Sequence, residues 1–259
     1  MRNFDIARIT RETNIRLVEY HETLDSTNKL AAELLSDLLP LSPALVLTTS
    51  QSAGRGRGSN SWWATPGALT FSLVLAADEL QLPVERLPFV ALAAGLAVRN
   101  AVADLVPGKV VAVKWPNDVL VNEQKVCGIL TQQQLAIKAT GLIIGIGVNV
   151  NNSLQTAPDA VRQRATSIFD LTDTHQELTD VLISILGQLE AACSHLRDDP
   201  AAIATELNAH SMLNGREMEV QAGGELVSGL CEGIDDSGCL LVRSGSELKR
   251  LNAGTVVSW

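Results

Sequence analysis

The stretch VVAVKWPNDVLVNEQKVCGILTQQQL, residues 110–135, decides the fold class, because it joins two β-prone runs through a turn. Proline is disfavoured inside a central strand, so the first run is expected to break at Pro116. The chain then turns at residues 122–124 and returns, which is typical of a β-hairpin. A hairpin here predicts antiparallel pairing in the sheet.

The hairpin would also bring Lys125 and Gly128 back towards the strand that carries Asp118. The runs on either side predict strands and helices that do not alternate as βαβ units. This pattern favours an α+β fold, with a mainly antiparallel or mixed sheet and helices against it. The strongest amphipathic helix is expected over residues 178–196, with Thr174 or Asp173 as its cap. The expected strands cover residues 16–20, 44–50, 68–77 and 142–151, and the expected helices begin near 26 and cover 87–106, 178–196 and 200–210.

The character of the chain changes after residue 215. Short β-prone runs are separated there by turns at Gly223-Gly224 and at residues 236–238, which predicts a small β-barrel. We expect two domains, a larger one over residues 1–212 and this barrel over residues 213–259.

Composition and charge exclude several classes of protein. Apolar residues make up 46% of the 259 residues, enough to bury a large core without disulfides or metals. The net charge of −9 argues against a surface that binds nucleic acid as a whole. The four cysteines show no C-x-x-C spacing and the four histidines are scattered, so we expect no transition-metal site. No apolar run reaches about 20 residues, and the N-terminus lacks the apolar core of a signal peptide. A cytoplasmic protein without membrane contact is expected.

Glycine and arginine alternate at residues 54–58, within QSAGRGRGSNSWW (51–63). Glycine lets the backbone approach an anion closely, and arginine offers a forked, permanent charge that fits phosphate or carboxylate. A flexible solvated loop and an RGG-like nucleic-acid contact are the other interpretations of this stretch. It has no G-K-[ST], so it is not a Walker A loop, and a predicted strand follows it, so it is not a Rossmann fingerprint.

Three further motifs have a structural interpretation beside a functional one. DSTN, residues 25–28, is a helix cap, or a set of hydrogen-bond groups for a small polar ligand. GIGVN, residues 145–149, is a strand with close-packed glycines, or a place where a ligand approaches the backbone. KWPND, residues 114–118, is a turn with a charged rim, or part of a site that activates a carboxylate with ATP.

Together these motifs resemble those of the biotin protein ligase family. The resemblance is close over residues 18–150 and looser in the C-terminal stretch. It implies a fold like that of class II aminoacyl-tRNA synthetases, a mixed sheet with flanking helices, plus a small C-terminal SH3-like domain. It also implies a two-step activity, in which biotin and MgATP give biotinyl-5′-AMP and pyrophosphate before a carrier-domain lysine attacks the adenylate. The matching residues are DSTN (25–28), Q-x-x-GRGR (51–57) with Trp62, KWPND (114–118), K-x-x-G-I-L (125–130) and GxGxN (145–149).

The resemblance also implies roles for residues. Lys125, Arg55 and Arg57 would hold the biotin carboxylate beside the α-phosphate. Asp118 would take the proton of the incoming amine or coordinate Mg²⁺, and Asn149 would contact adenine. The residues that the resemblance implies for binding are Ser26, Thr27, Asn28, Gln51, Gly54, Arg55, Gly56, Arg57, Trp62, Lys125, Gly128 and Asn149.

The chain departs from this family in two places. Asn60 stands where many relatives carry a third arginine of the loop. Only 24 residues precede Asp25, where bifunctional relatives carry a winged helix-turn-helix. We therefore expect a ligase that does not bind DNA. Its partner would be the biotin carboxyl carrier domain of a carboxylase, and a homodimer along a sheet edge is a further expectation.

Two alternatives stay open at this point. A lipoate- or octanoate-handling relative has the same fold, and its transferases need a cysteine at the site. Cys127 lies two residues from Lys125, so a regular strand would point both side chains to one face. A non-enzymatic binding module that contacts nucleic acid through Arg55 and Arg57 is the other alternative, and its binding would fall steeply with salt.

Overall fold

The computed structural model describes residues 4–82, 86, 89–136, 139–155 and 157–259. Its strands form two sheets. The larger sheet contains β1 (Leu17–Leu24), β2 (Ala44–Gln51), β3 (Leu69–Ala76), β4 (Val111–Lys114), β5 (Asp118–Val121), β6 (Gln124–Leu135) and β7 (Thr140–Val148). The smaller sheet contains β8 (Glu217–Ala222), β9 (Glu225–Ile234), β10 (Leu240–Ser244), β11 (Glu247–Leu251) and β12 (Thr255–Ser258).

The strand order makes the larger sheet mixed, as the sequence predicts. The order is β1-β2-β3-β7-β6-β5-β4, in which β1 and β2 run parallel and the other neighbours are antiparallel. The smaller sheet has the order β11-β10-β9-β8-β12 and is antiparallel throughout. The predicted α+β class with a separate C-terminal β-unit is therefore confirmed.

Helices cover the larger sheet. The long helices α4 and α7 pack against each other, and α4 also contacts β4, β5 and β6. α4 is apolar around much of its circumference because it lies between the sheet and another helix. The helices of the described residues are α1 (Ile6–Glu12), α2 (Thr27–Glu33), α3 (Leu35–Leu38), α4 (Phe89–Leu105), α5 (Asp159–Arg162), α6 (Ile168–Thr172), α7 (Leu178–Asp198) and α8 (Pro200–Ala209).

The smaller sheet is joined to the larger one at the KWPND turn. Trp115 of that turn is 2% exposed, and its indole Nε1 donates a hydrogen bond to the carbonyl of Gly238, at 3.2 Å. Buried residues of both sheets form one continuous apolar cluster. The C-terminal sheet is thereby held beside the hairpin that carries the predicted site.

Two local predictions need correction. Glu177, not Thr174 or Asp173, caps α7, because its carboxylate accepts a hydrogen bond from the Thr179 backbone N–H. The polar residues 152–166 predict an irregular segment from sequence, but this segment contains the short helix α5. The first two residues of the helix predicted over 87–106 lie outside the described residues.

No helix in the part of the chain that the structure describes combines the length and the apolarity needed to span a bilayer.

Candidate active site

A cavity of about 590 Å³ lies at one end of the hairpin, a volume typical of small-molecule sites. The N-terminus of α2, the Gly/Arg loop, the β4–β5–β6 hairpins, the glycines of β7 and the start of β12 surround it. Most of the predicted site residues line it, namely Ser26, Thr27, Asn28, Gln51, Arg55, Gly56, Arg57, Trp62, Asp118, Lys125 and Gly128.

The Gly/Arg loop folds back on itself beside this cavity. Arg55 pairs with Ser61 in a β-bridge, and the Trp62 N–H donates to the Gly54 carbonyl at 2.9 Å. A Cβ on Gly54 would lie 2.5 Å from the Trp62 carbonyl oxygen, so this position requires glycine for the loop's own closure. Gly54 is not among the residues that line the cavity, and its predicted biotin contact stays a prediction.

The indole of Trp62 lies against the glycine strand β7. A Cβ on Gly147 would come within 2.5 Å of the indole Cε2, so only a glycine leaves room for the ring. The Trp62 Nε1 is buried and has no hydrogen-bond partner among the described residues. The close approach that the GIGVN motif predicts therefore involves an aromatic side chain.

Buried polar side chains form another wall of the cavity. Gln51 Oε1 accepts hydrogen bonds from the backbone N–H of Thr27 at 2.7 Å and from its hydroxyl at 3.2 Å. Ser26 occupies the N-cap position of α2, but its hydroxyl makes no capping bond to the helix. Ser26 also lines the cavity, which favours the ligand-binding interpretation of DSTN.

Asn28 is fixed by three hydrogen bonds. Its Oδ1 accepts from the Ser72 hydroxyl at 2.7 Å, and its Nδ2 donates to the Leu130 carbonyl at 3.1 Å and to Gln132 Oε1 at 2.9 Å. A Cβ on Gly145 would lie 1.8 Å from Asn28 Oδ1, so glycine is required there as well. Both glycines of the motif therefore make space for site side chains.

The hairpin brings Lys125 and Asp118 together, as predicted. Lys125 Nζ lies 2.6 Å from Asp118 Oδ1, and the two side chains are 34% and 24% exposed. Asp118 pairs with Gly128 across the strands, where a Cβ would meet the lysine ammonium at 3.0 Å. The pair is partly exposed on the cavity side and thus accessible to a ligand.

The expectation that Cys127 shares a face with Lys125 is wrong. The register of β5 against β6 shifts between Val119 and Leu120, so Cys127 pairs with Val119 while Lys125 pairs with Leu120. This bulge re-aims the lysine into the cavity. Cys127 is completely buried in the apolar core, and burial raises the pKa of its thiol far above the usual value.

Sequence reasoning assigned no role to two cavity cations, Lys114 and Arg164. Burial, with the nearby cations Lys125 and Arg164, lowers the pKa of Lys114 to about 8, although Asp118 acts in the opposite direction. Lys114 pairs with Asp118 across β4 and β5, so the hairpin pattern could have predicted that Lys114 lies beside the site. Arg164 lies in the polar stretch after β7 and reaches the site because its carbonyl accepts the Lys125 N–H at 2.8 Å.

Asn149 lies away from the cavity lining. It is 3% exposed, its Nδ2 donates to the Thr166 carbonyl at 3.1 Å, and its Oδ1 accepts from Asn152 Nδ2 at 3.1 Å. These bonds hold the segment after β7 against the polar stretch that carries Arg164. The predicted adenine contact of Asn149 stays a prediction.

The charge of the lining is strongly unbalanced. Among the described residues that line the cavity, Asp118 is the one carboxylate, whereas the cations are Arg55, Arg57, Lys114, Lys125 and Arg164. No cluster of three metal-ligating side chains occurs in the described ranges. Mg²⁺ in nucleotide sites commonly takes one or two carboxylates together with substrate phosphates, and a single cavity carboxylate fits that pattern.

Comparison with known proteins identifies the family. Residues 20–149 match the model of the biotin/lipoate A/B protein ligase family, and residues 215–259 match the biotin protein ligase C-terminal domain. The first match covers half of the chain, and the second falls on the smaller sheet. The chain belongs to the biotin/lipoate A/B protein ligase family, and its C-terminal region is of the biotin protein ligase type.

Individual relatives agree with this assignment. A biotin–[acetyl-CoA-carboxylase] ligase of Mycobacterium tuberculosis is 33% identical over 82% of this chain and 78% of its own length. A bifunctional ligase/repressor of Bacillus subtilis is 31% identical over 92% of this chain and 72% of its own length. The structure of a biotin protein ligase from Aquifex aeolicus in complex with biotin and ATP superimposes with a TM-score of 0.79 and 25% identity, covering 94% of this chain and 99% of that one.

Proposed function

We propose that this chain activates biotin with ATP and transfers it to a lysine of a biotin carboxyl carrier domain. The observation that carries the proposal is the excess of cations over carboxylates around a cavity with buried polar groups at one wall. Biotin carboxylate and the ATP α-phosphate are both anions and repel each other. Cations placed between them offset this repulsion and hold the reacting atoms in line.

In the first step a biotin carboxylate oxygen attacks the α-phosphorus, and pyrophosphate leaves with its electron pair. The Lys125–Asp118 contact, at 2.6 Å, places the ammonium in the cavity beside the strands that carry Lys114. Lys125 is therefore suited to bridge the carboxylate and the α-phosphate. Asp118 is the cavity carboxylate that could hold Mg²⁺, an ion that would neutralise part of the phosphate charge.

In the second step the carrier lysine amine attacks the acyl carbon, AMP leaves and the amine loses a proton. Biotinyl-AMP is a mixed anhydride that water hydrolyses, so the site must keep water out until the acceptor arrives. The Gly/Arg loop, folded beside Trp62, is the segment placed to cover it.

Asp118 has one of two tasks, and the two half-reactions separate them. As an Mg²⁺ ligand, it is needed for pyrophosphate release. As the acceptor of the amine proton, it is needed for transfer from preformed biotinyl-AMP. Asp118→Asn, measured in each half-reaction alone, assigns the task by the step that slows.

The relatives that are named biotin ligases favour biotin over lipoate or octanoate as the acid. The buried position of Cys127 also argues against a transferase that uses a cysteine at this site. The direct test incubates the chain with ATP, a purified carrier domain and each of the three acids. Biotin alone should appear on the carrier lysine, and a carrier with Arg in place of that lysine should stay unmodified. Preferential transfer of lipoate or octanoate would refute the proposal.

The open sheet edge supports a homodimer as part of the proposal. β1 lies at one edge of the larger sheet and β4 at the other. The outer side of β4 is occupied, since the Val113 N–H donates to the His210 carbonyl at 2.9 Å and its carbonyl accepts from the Met212 N–H at 2.9 Å. β1 is then the edge with backbone groups to pair. Light scattering with and without biotin and ATP tests this, and a monomer under both conditions would rule it out.

A further inference from the structure

The last strand, β12, forms part of the cavity wall. Thr255 and Val256 line the cavity, although they belong to the C-terminal sheet. The Arg57 guanidinium donates to the carbonyl of Gly254 and, at 3.4 Å, to the Thr255 hydroxyl. The Gly/Arg loop is therefore in direct contact with the C-terminal sheet.

A second contact comes from Trp259, immediately after this strand. The Lys114 ammonium lies over the indole ring, 3.3 Å from the ring centroid. A cation over an aromatic face is attracted by the ring quadrupole, most strongly when it is partly desolvated. Lys114 meets that condition, because it is half-buried at the cavity wall, and this burial lowers its pKa to about 8. Asp118, the one carboxylate among the described lining residues, lies in contact with a different ammonium, that of Lys125.

Trp259 is not among the residues that line the cavity, whereas Lys114 is. The indole contacts the cavity through the ammonium of Lys114, and we infer that it acts on a bound ligand through this lysine. Trp259 is also 41% exposed, so it contributes less to the buried core than Trp115 does at 2%. An exposed tryptophan stacked on a partly buried cation is better explained by the cation that it holds than by core packing.

We propose that Trp259 is a positioning residue, whose indole holds the Lys114 ammonium in the cavity for the phosphate chain of the nucleotide. The inference rests on the proposed function, since it requires ATP as the ligand. Trp259 would then raise the affinity for the nucleotide indirectly, by holding the lysine that contacts the phosphates. Biotin, which the family resemblance implies at Thr27 and Gln51, would be unaffected by the ring.

The test compares Trp259→Leu with Trp259→Phe in the full chain. Leucine keeps apolar bulk but has no aromatic face, whereas phenylalanine keeps the face. Trp259→Leu should raise KM for ATP about 2- to 30-fold, the range of a cation–π contact, with KM for biotin unchanged. Trp259→Phe should restore most of the affinity for ATP. Val257→Ala is the control, because Val257 is exposed on β12, two residues before Trp259, and is not among the cavity-lining residues.

A double-mutant cycle then shows whether Trp259 acts through Lys114. In a Lys114→Met background, Trp259→Leu should add little to the loss of ATP affinity, because the cation that it holds is gone. Calorimetry with ATP alone gives the same comparison without catalysis. Additive losses, an equal rise of KM for biotin, or an unchanged KM for ATP in Trp259→Leu would overturn the inference. Absence of biotin-dependent pyrophosphate release by the wild-type chain would instead refute the proposed function.

Discussion

The indole of Trp62 lies so close to Gly147 that a single methyl group on this glycine would come within 2.5 Å of the ring. Gly147→Ala should therefore displace Trp62, which the family resemblance implies for ligand binding, and weaken biotin binding about tenfold, equivalent to about 1.4 kcal/mol. Calorimetry with biotin measures this. The matched control is Gly187→Ala in α7, where a Cβ meets nothing within 4 Å. That change should leave binding intact and stabilise the helix by about 1 kcal/mol. Equal binding by both variants would contradict the packing of Trp62 on β7.

Lys125→Ala should separate binding from chemistry. The lysine ammonium contacts Asp118 at 2.6 Å within the cavity, whereas the polar groups of Thr27 and Gln51 form another wall. Loss of the cation should reduce pyrophosphate release by about 10²- to 10³-fold, as for removal of one electrostatic donor, with a much smaller loss of biotin affinity. Pyrophosphate release and calorimetry on the same preparation provide the comparison. Equal losses in both would contradict a catalytic role for Lys125.

Lys114 should make the stability of the chain depend on pH in a defined direction. Burial lowers its pKa from 10.5 to about 8. Between these values the unfolded chain binds more protons than the folded chain, so this group's contribution to the free energy of unfolding rises with pH. Lys114→Met removes that dependence. Its stability relative to wild type should be greatest below about pH 8 and should decline towards about pH 10.5.

Urea unfolding of both proteins at about pH 7 and about pH 10 measures this difference directly. Only the change in the difference between the two proteins is diagnostic, because other groups titrate equally in both. A difference that stays constant with pH would show that the lysine is not desolvated in the folded chain.

Cys127→Ser should lower stability but not activity. The thiol is completely buried among apolar side chains, and a hydroxyl placed there would cost about 1–3 kcal/mol. Below the unfolding transition, the rate per folded molecule should equal that of the wild type. Thermal unfolding and carrier biotinylation measure the two effects separately. Loss of activity in a fully folded variant would support the alternative in which Cys127 is a catalytic nucleophile.

Much of the site follows from local sequence signals. The break at Pro116 and the turn at residues 122–124 specify the hairpins, and these fix the meeting of Lys125 and Asp118. The glycines of β7 signalled a close approach, which involves Asn28 and Trp62. The four motifs together also identified the family, which the matching domain models confirm.

The remainder depends on contacts that no local pattern records. The bulge in the β5–β6 ladder reverses the expected face of Cys127, and a one-residue slip in register is invisible in an alternating pattern. Arg164 reaches the cavity through a bridge between distant segments. Trp259 meets Lys114 only because the C-terminal sheet lies beside the KWPND turn. The positions of Cys127, Arg164 and Trp259 relative to the site could be read only from the tertiary structure.

The most direct test of the account measures pyrophosphate release from MgATP by the purified chain, with biotin and without a carrier domain. We predict release of about one equivalent per site followed by a stall, because the closed site holds the adenylate until an acceptor amine arrives. Release with lipoate or octanoate but not with biotin, or no release with any of the three acids, would contradict the central claim that the cation-lined cavity activates biotin.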